Sequence, residues 1–187
     1  SKTKAQEVQM KVSQTGIDLI KKWEGLRQKA YKDTGGVWTI GYGHTKGVTP
    51  NMVITEKQAE QFLIEDLQDS VDWVNRLVKV PVNQNQFDAL VSFVFNIGPT
   101  QFTNSTLLRK LTAKDYKGAG DEFKRWVYDN GRRIEGLANR RADEERLYRL
   151  PYTSPSEEPT EPSSGLTGDI DIEKLRQLIR EELKKVN

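Results

Sequence analysis

The stretch "KKWEGLRQKAYKDTGGVWTIGYGHT" (Lys21–Thr45) closes one kind of structure and opens another. Gly16 to Trp23 reads as a short helix, and Gly25 is placed to stop it, because glycine takes a C-cap conformation with no Cβ to clash. "TGG" (34–36) is a turn signal, and "VWTIGYG" (37–43) reads as strand, so the segment becomes a hairpin. The same few residues carry Glu24, Asp33, Thr39 and His44, the chain's single histidine. These polar groups are either solvated punctuation or a working pair of carboxylates with helpers.

Downstream of the hairpin the pattern is helical. "TEKQAEQFLIEDLQDSVDWVNRLVKV" (55–80) carries Phe62, Leu63, Leu67, Val71, Val74, Leu77 and Val78 along one stripe. Thr55 with Gln58 makes a capping box at its start, and Pro81 ends it. At 1.5 Å per residue such a helix spans roughly 37 Å, the size of a small domain, so it can bridge two lobes with a cleft between them. "NQFDALVSFVFNIG" (85–98) is almost wholly apolar and is expected to be a central buried helix. Shorter helices are expected near 105–111, 115–128 and 136–149. The fold class is therefore α+β, mainly α.

Composition bounds the chemistry. The 187 residues include no cysteine and one histidine, so a thiolate or His-based zinc site is not expected. The formal net charge is +2, and residues 1–150 hold 24 basic against 19 acidic side chains. That mild excess suits an anionic surface but is too sparse for a nucleic-acid binder. No apolar run is long enough to span a membrane, and "SKTKAQEVQMKVS" (1–13) lacks the apolar centre of a signal peptide.

Eight residues separate Glu24 from Asp33, and five separate Asp33 from Thr39. Glu24 falls at the end of a helix, where the negative end of the dipole disfavours a carboxylate charge. A general acid must hold a proton there. Asp33 lies in a turn rich in backbone donors. Two carboxylates in different environments are the mark of acid–base work. A hydroxyl at Thr39, on the strand, can orient a water. Spacing alone leaves the bland reading open.

Further motifs decide between the two. "WEGLRQKAYKDTGGVWTIGYGHT" resembles the phage-type lysozymes (endolysins, muramidases) of glycoside hydrolase family 24, with their Glu–(8)–Asp–(5)–Thr pattern. "FNIGPTQFTNSTLLRKL" (95–111), "RW" (125–126) and "GLANRRADEERLY" (136–148) resemble the same family in the same order. The resemblance implies a lysozyme-like two-lobe fold with a small N-terminal β-sheet, a long inter-lobe helix and a helical C-terminal lobe. It implies hydrolysis of the β-1,4 bond between N-acetylmuramic acid and N-acetylglucosamine in peptidoglycan. Glu24 would be the general acid, Asp33 would support the attacking water or the oxocarbenium-like charge, and Thr39 would hold the water. Thr45, Phe95, Asn96 and Ser105 fall where the family contacts the glycan, and Arg140 where it pairs with the catalytic Glu. The resemblance includes inverting enzymes, whose carboxyl groups stand roughly 6.5–9.5 Å apart to admit water. It implies no cofactor and no metal, and a cytoplasmic protein released to the periplasm or wall by a holin-type pore, with delivery in the virion as the alternative.

Plainer roles compete at several positions. Phe95 can be core, Ser105 can be a helix N-cap, Arg140 can be a solvated arginine, and His44 reads as a structural hydrogen-bonding residue beneath the hairpin. Trp23, Trp38, Trp73 and Trp126 are expected to be buried rather than to stack sugars. A catalytically silent wall-binding or tail-structural module is the rival function, and a lytic transglycosylase is another; the complete trio favours hydrolysis.

Three segments are expected: a catalytic domain over 1–150, a Pro/Ser/Glu-rich linker over 151–168, and an amphipathic helix over 169–187. The linker's "PYTSPSEEPTEPSSG" (151–165) has four prolines and no aliphatic residue. The helix sets Ile172, Leu175, Leu178, Ile179, Leu183 and Val186 on one face. That face is too small to fold alone. The expected partners are peptidoglycan strands for the domain, no nucleic acid, and for the helix a protein partner or a second copy.

Overall fold

In the computed structural model, residues 9–154 and 172–185 are described. Contacts divide the chain into two units, Ser1–Tyr152 and Thr153–Asn187.

The first unit opens with helix α1 (Gln14–Glu24), which buries Gly16, Ile17 and Ile20. Its N-cap residue, Ser13, is held by another helix: the Ser13 backbone N–H donates to Asp88 Oδ1 at 2.9 Å, and its hydroxyl donates to Asp88 Oδ2. Asp88 is fully buried. The helices meet here because residue 16 is glycine: a Cβ there would lie 2.7 Å from Val12 Cγ2 and 2.9 Å from Asp88 Cβ. Gly25 closes α1 with φ +71°, its N–H donating to Lys21 O at 3.1 Å.

Strands β1 (Arg27–Lys32) and β2 (Trp38–Gly41) follow as an antiparallel hairpin, with Tyr31 opposite Thr39 and Lys32 opposite Trp38. The register is interrupted between Arg27 and Tyr31. The connecting turn is built by Asp33, whose Oδ1 accepts from the backbone N–H groups of Gly35 and Val37 at 2.9 and 2.8 Å. An Asp side chain mimicking a backbone acceptor is a common way to hold such a turn. After β2 the chain folds back at once, and Ile40 and His44 exchange backbone hydrogen bonds of 2.9 Å.

Helix α2 (Glu56–Leu77) starts with the expected Thr55/Gln58 capping box. It rises about 33 Å at 1.5 Å per residue. At one end Ala59 packs against Gly41 of the hairpin; along its length α2 also meets α3 (Gln84–Ile97). Helix α3 has its own capping box, Asn83 with Gln86, and is buried continuously from Phe87 to Val94. It touches α1, α2 and α7 (Glu135–Arg149) and is the axis of the unit. Burying a Phe or Leu side chain contributes roughly 1.5–3 kcal/mol, so this helix is the main source of cohesion. The aromatic rings of Phe102, Phe123 and Trp126 surround Phe93, with the Phe93–Phe123 centroids 5.1 Å apart.

Short helices α4 (Pro99–Thr103), α5 (Thr106–Thr112) and α6 (Tyr116–Glu122) complete the helical part. The single helix expected over 115–128 is instead α6, a 3-10 turn (Phe123–Arg125) and the start of a second hairpin, β3 (Tyr128–Asp129) with β4 (Arg132–Arg133). "DNG" (129–131) explains the break: Asn130 and Gly131 take φ +47° and +75°, which suits a tight hairpin turn. The tryptophans expected in the core are all only partly buried. The architecture is α+β and mainly α, a small sheet with a long helix leading to a helical part. In the second unit α8 (Ile172–Lys184) is a helix with Leu178, Ile179 and Leu183 exposed. The linker expected over 151–168 lies outside the described residues beyond Ser154, as do residues 169–171, 186 and 187 of the expected helix.

Two predictions test this packing. Gly16→Ala should lower unfolding free energy by about 1–3 kcal/mol, the usual effect of overpacking, read from the urea midpoint; an unchanged midpoint would show that α1 can back away from α3. The Tyr148 hydroxyl is buried, donates to Tyr116 O at 2.8 Å, and is pushed up to about 12 by that burial from an ordinary 10.0. Its folded value lies above its unfolded one, so its contribution is whole below pH 10 and is lost as pH rises toward 12. The wild-type chain should therefore destabilise more steeply than Tyr148→Phe across that window in urea melts.

Candidate active site

Glu24 is the last residue of α1, so it stands where the helical part gives way, through Gly25, to the hairpin. It remains 24% exposed. Arg140 NH1 donates to its Oε1 at 2.8 Å, across 116 residues of sequence. The other oxygen approaches the hairpin: a Cβ at Gly43 would stand 3.7 Å from Glu24 Oε2. Gly43 has φ +87°, a conformation that L side chains rarely adopt, so glycine serves here for backbone shape and for room beside the carboxylate.

The hairpin brings in the other two candidates. Asp33 is exposed at the turn, with Oδ1 engaged by Gly35 and Val37. Thr39 is buried on β2, and its hydroxyl donates to Val37 O at 3.0 Å. With its proton used in that bond, the Thr39 oxygen keeps lone pairs that can accept from a water. His44 lies at the base of the hairpin: its ring stacks on Phe62 at 4.2 Å, and Nδ1 is 2.8 Å from Asp66 Oδ2. It joins the hairpin to α2. Thr45 is exposed in the loop that follows.

On α3, Phe95 is half-buried and packs on the core, while Asn96 beside it is exposed. Ser105 is 3% exposed and is the N-cap of α5: its hydroxyl accepts from Leu108 N–H at 3.0 Å and donates to Phe102 O at 2.7 Å. Both sides of that hydroxyl are occupied within the protein.

Behind Glu24 stands a buried ionic cluster of which sequence reading found only Arg140. The Arg140 guanidinium is 4% exposed. Its Nε donates to Glu144 Oε2 at 3.3 Å and NH2 to Ser92 O at 3.3 Å. Glu144 is fully buried and accepts from the Ser92 hydroxyl at 2.5 Å. Arg141 NH1 lies 3.0 Å from Glu144 Oε1, but neither atom has a well-directed hydrogen bond, so the contact is an ion pair held by charge and not by an aimed N–H. Arg141 NH2 donates to Asn96 Oδ1, and the guanidinium lies over the Phe93 ring at 5.1 Å. Burial pushes the Glu144 carboxyl up and the Arg141 guanidinium down, and each charge opposes the shift of the other.

A second brace joins α1 to α7. Asp143 Oδ2 accepts from Lys22 Nζ at 2.6 Å and Trp23 Nε1 at 3.1 Å, and Oδ1 accepts from Arg146. Burial works against that charge, but the bonds from Lys22 and Arg146 outweigh it and hold the carboxyl below its usual value. The signal for these residues is "NRRADEERLY" itself: Glu144 follows Arg140 by four and Arg141 by three, the helical spacings for contact. No group of three or more His, Cys, Asp or Glu among the described residues is arranged to hold a metal ion.

A family model described as phage lysozyme matches residues 21–144. An endolysin of Acyrthosiphon pisum secondary endosymbiont phage 1 is 50% identical over 143 residues, covering 74% of this chain and 98% of that protein. The Bacillus phage PZA endolysin is 51% identical over 142 residues, and the chain spans 55% of its length. Among solved structures, the muramidase domain of SpmX from Asticaccaulis excentricus aligns with a TM-score of 0.72 at 41% identity, over 75% of this chain and 99% of that one. With the helix-end Glu, the turn Asp and the strand Thr in one matched segment, the chain belongs to the phage lysozyme family.

Proposed function

We propose that Glu24, Asp33 and Thr39 are the catalytic trio with which this endolysin-type lysozyme hydrolyses the β-1,4 bond between N-acetylmuramic acid and N-acetylglucosamine in peptidoglycan. One observation carries the reading: Glu24 is anchored by a buried cation at 2.8 Å yet remains open to solvent beside the hairpin that bears Asp33 and Thr39. A structural ion pair would have no need of that opening.

Glu24 donates its proton to the leaving glycosidic oxygen as the bond between that oxygen and the anomeric carbon breaks; the oxygen of a water bonds to that carbon, its surplus proton passes to Asp33 or to solvent, and Glu24 regains a proton from solvent. Asp33 supports the attacking water or the positive charge that develops on the sugar ring. Its Oδ1 is fixed by two backbone donors, so the carboxylate is oriented before substrate arrives. Thr39 holds the water by accepting its hydrogen bond. We infer an inverting course, in which water attacks the face of the sugar opposite the leaving oxygen. Arg140 orients Glu24, and His44 braces the hairpin through Asp66. Thr45, Phe95 and Asn96 are the glycan contacts we infer; Ser105 contributes by fixing the start of α5.

The bond to be cut lies outside the cytoplasmic membrane, and no helix of the described residues is long and apolar enough to cross one. We infer release through a holin-type pore, with delivery in the virion as the second route. Helix α8 exposes Leu178, Ile179 and Leu183, and we infer that this face meets a protein: a partner or a second copy.

Glu24→Gln should abolish clearing of purified cell walls, a loss of at least about a hundredfold for a missing general acid, with the thermal melt unchanged. Product mass analysis on the wild type should show water added at the cut and no anhydro sugar. A Glu24→Gln protein that still clears walls sinks the assignment. For α8, removal of residues 153–187 should lower the mass measured in solution if copies of the chain associate through it. An unchanged mass excludes self-association and leaves a separate partner protein.

A further inference from the structure

The buried carboxylate of Glu144 touches no solvent, yet it lies against two consecutive arginines that lead to two different solvent-accessible side chains. Arg140 reaches Glu24 at 2.8 Å, and Arg141 reaches the side chain of Asn96. Residues 140 and 141 are 100° apart on α7, so their side chains diverge, and Glu144, one turn later, meets both. Ser92 of α3 closes the cluster, donating its hydroxyl to Glu144 and accepting Arg140 at its backbone oxygen.

We infer that Glu144 is a positioning residue that sets two functional side chains at once, Glu24 through Arg140 and Asn96 through Arg141. The inference rests on the proposed role of Glu24 as the acid.

The chemistry of the second arm is specific. A guanidinium only donates, so Asn96 must turn its Oδ1 inward to Arg141. Its Nδ2 hydrogens are then the part of the amide left for a ligand, and Asn96 is exposed. The substrate group that meets it must be an acceptor, such as the acetamido carbonyl or the lactyl carboxylate of a wall sugar. Arg141 is held for this work by Phe93 beneath its plane and by Glu144 beside it. Without Glu144 the two buried cations would repel each other with no buried carboxylate between them, so neither guanidinium would keep its present orientation. An ion pair kept only for stability needs neither arginine to hold a side chain that is itself open to solvent.

The two arms predict different kinetics, measured on the full chain with a soluble peptidoglycan fragment of defined length. Arg141→Lys keeps the charge but loses the planar fork, and should raise KM about tenfold, the effect of one hydrogen bond to a charged group, with kcat within twofold. Asn96→Ala, an exposed change, should raise KM to the same extent, and the double variant should be no worse than either single one. Glu144→Gln should raise KM and also lower kcat about tenfold or more, and should shift the pH profile of kcat. A Glu144→Gln enzyme with a lower melting temperature but wild-type kcat, KM and pH profile overturns the proposal. If Glu144→Gln yields no folded protein, Arg141→Lys decides: wild-type KM, or a KM effect additive with Asn96→Ala, overturns it equally. Glu24→Gln run in parallel separates the two levels. Wild-type turnover in that variant overturns the acid assignment and the kcat arm together, whereas an inactive Glu24→Gln beside an unaffected Glu144→Gln overturns the positioning role alone.

Discussion

A buried guanidinium must be partnered where it lies, and Arg140 is partnered from two sides. Glu144 holds it from within the same helix, and Glu24 holds it from the end of another. Removing Glu144 would strand this buried cation at a cost of about 3–5 kcal/mol, whereas Glu24→Gln keeps an amide oxygen that can still accept from it. The end of α1 is thereby tied to α7, and the tie sets where the Glu24 carboxylate stands. Asp143 adds a second tie a turn away, through Lys22 and Trp23. The cluster occupies the seam where α1, α3 and α7 meet, and every group in it belongs to one of those helices.

That seam depends on how closely the helices approach. Helix α3 is apolar around nearly its whole circumference, so it has to be covered on all sides. Its polar members are used at the contacts: Asp88 receives the start of α1, and Ser92 receives Arg140 and Glu144. Gly16 lets α1 lie against Asp88. Asp88 and Ser92 thus stand where a neighbouring helix needs a partner. The same economy appears at the hairpin, where Asp33 closes a turn with one carboxylate oxygen and Gly43 leaves space for another residue's carboxylate.

The elements were largely legible from local pattern. The end of α1 at Gly25, the capping box at Thr55, the N-cap at Ser105 and the hairpin turn at Asp33 all rest on interactions within about four residues, and those survive in any context. The second hairpin was missed because its strands are two residues each, too short to show a period against the helical segments around them. The tryptophans were expected in the core because of their size, but at Trp23 the indole N–H needs an acceptor and finds it in Asp143 at the edge of the core.

Local pattern is enough to tell the kind of most elements and to single out the candidate trio, since Glu24, Asp33 and Thr39 lie within one contiguous segment whose motif is local. The company those residues keep is set by packing across the chain. Arg140 is 116 positions from Glu24, Asp88 is 75 from Ser13, and Glu144 is 52 from Ser92. In the sequence Glu144 is one of several acids in a charged helix, and only packing shows that it is fully buried between two arginines. Periodicity tells which face of a helix is apolar, because that depends on neighbours three and four residues away. It does not tell which charge is carried inside with it, because that depends on which helix comes to cover the face.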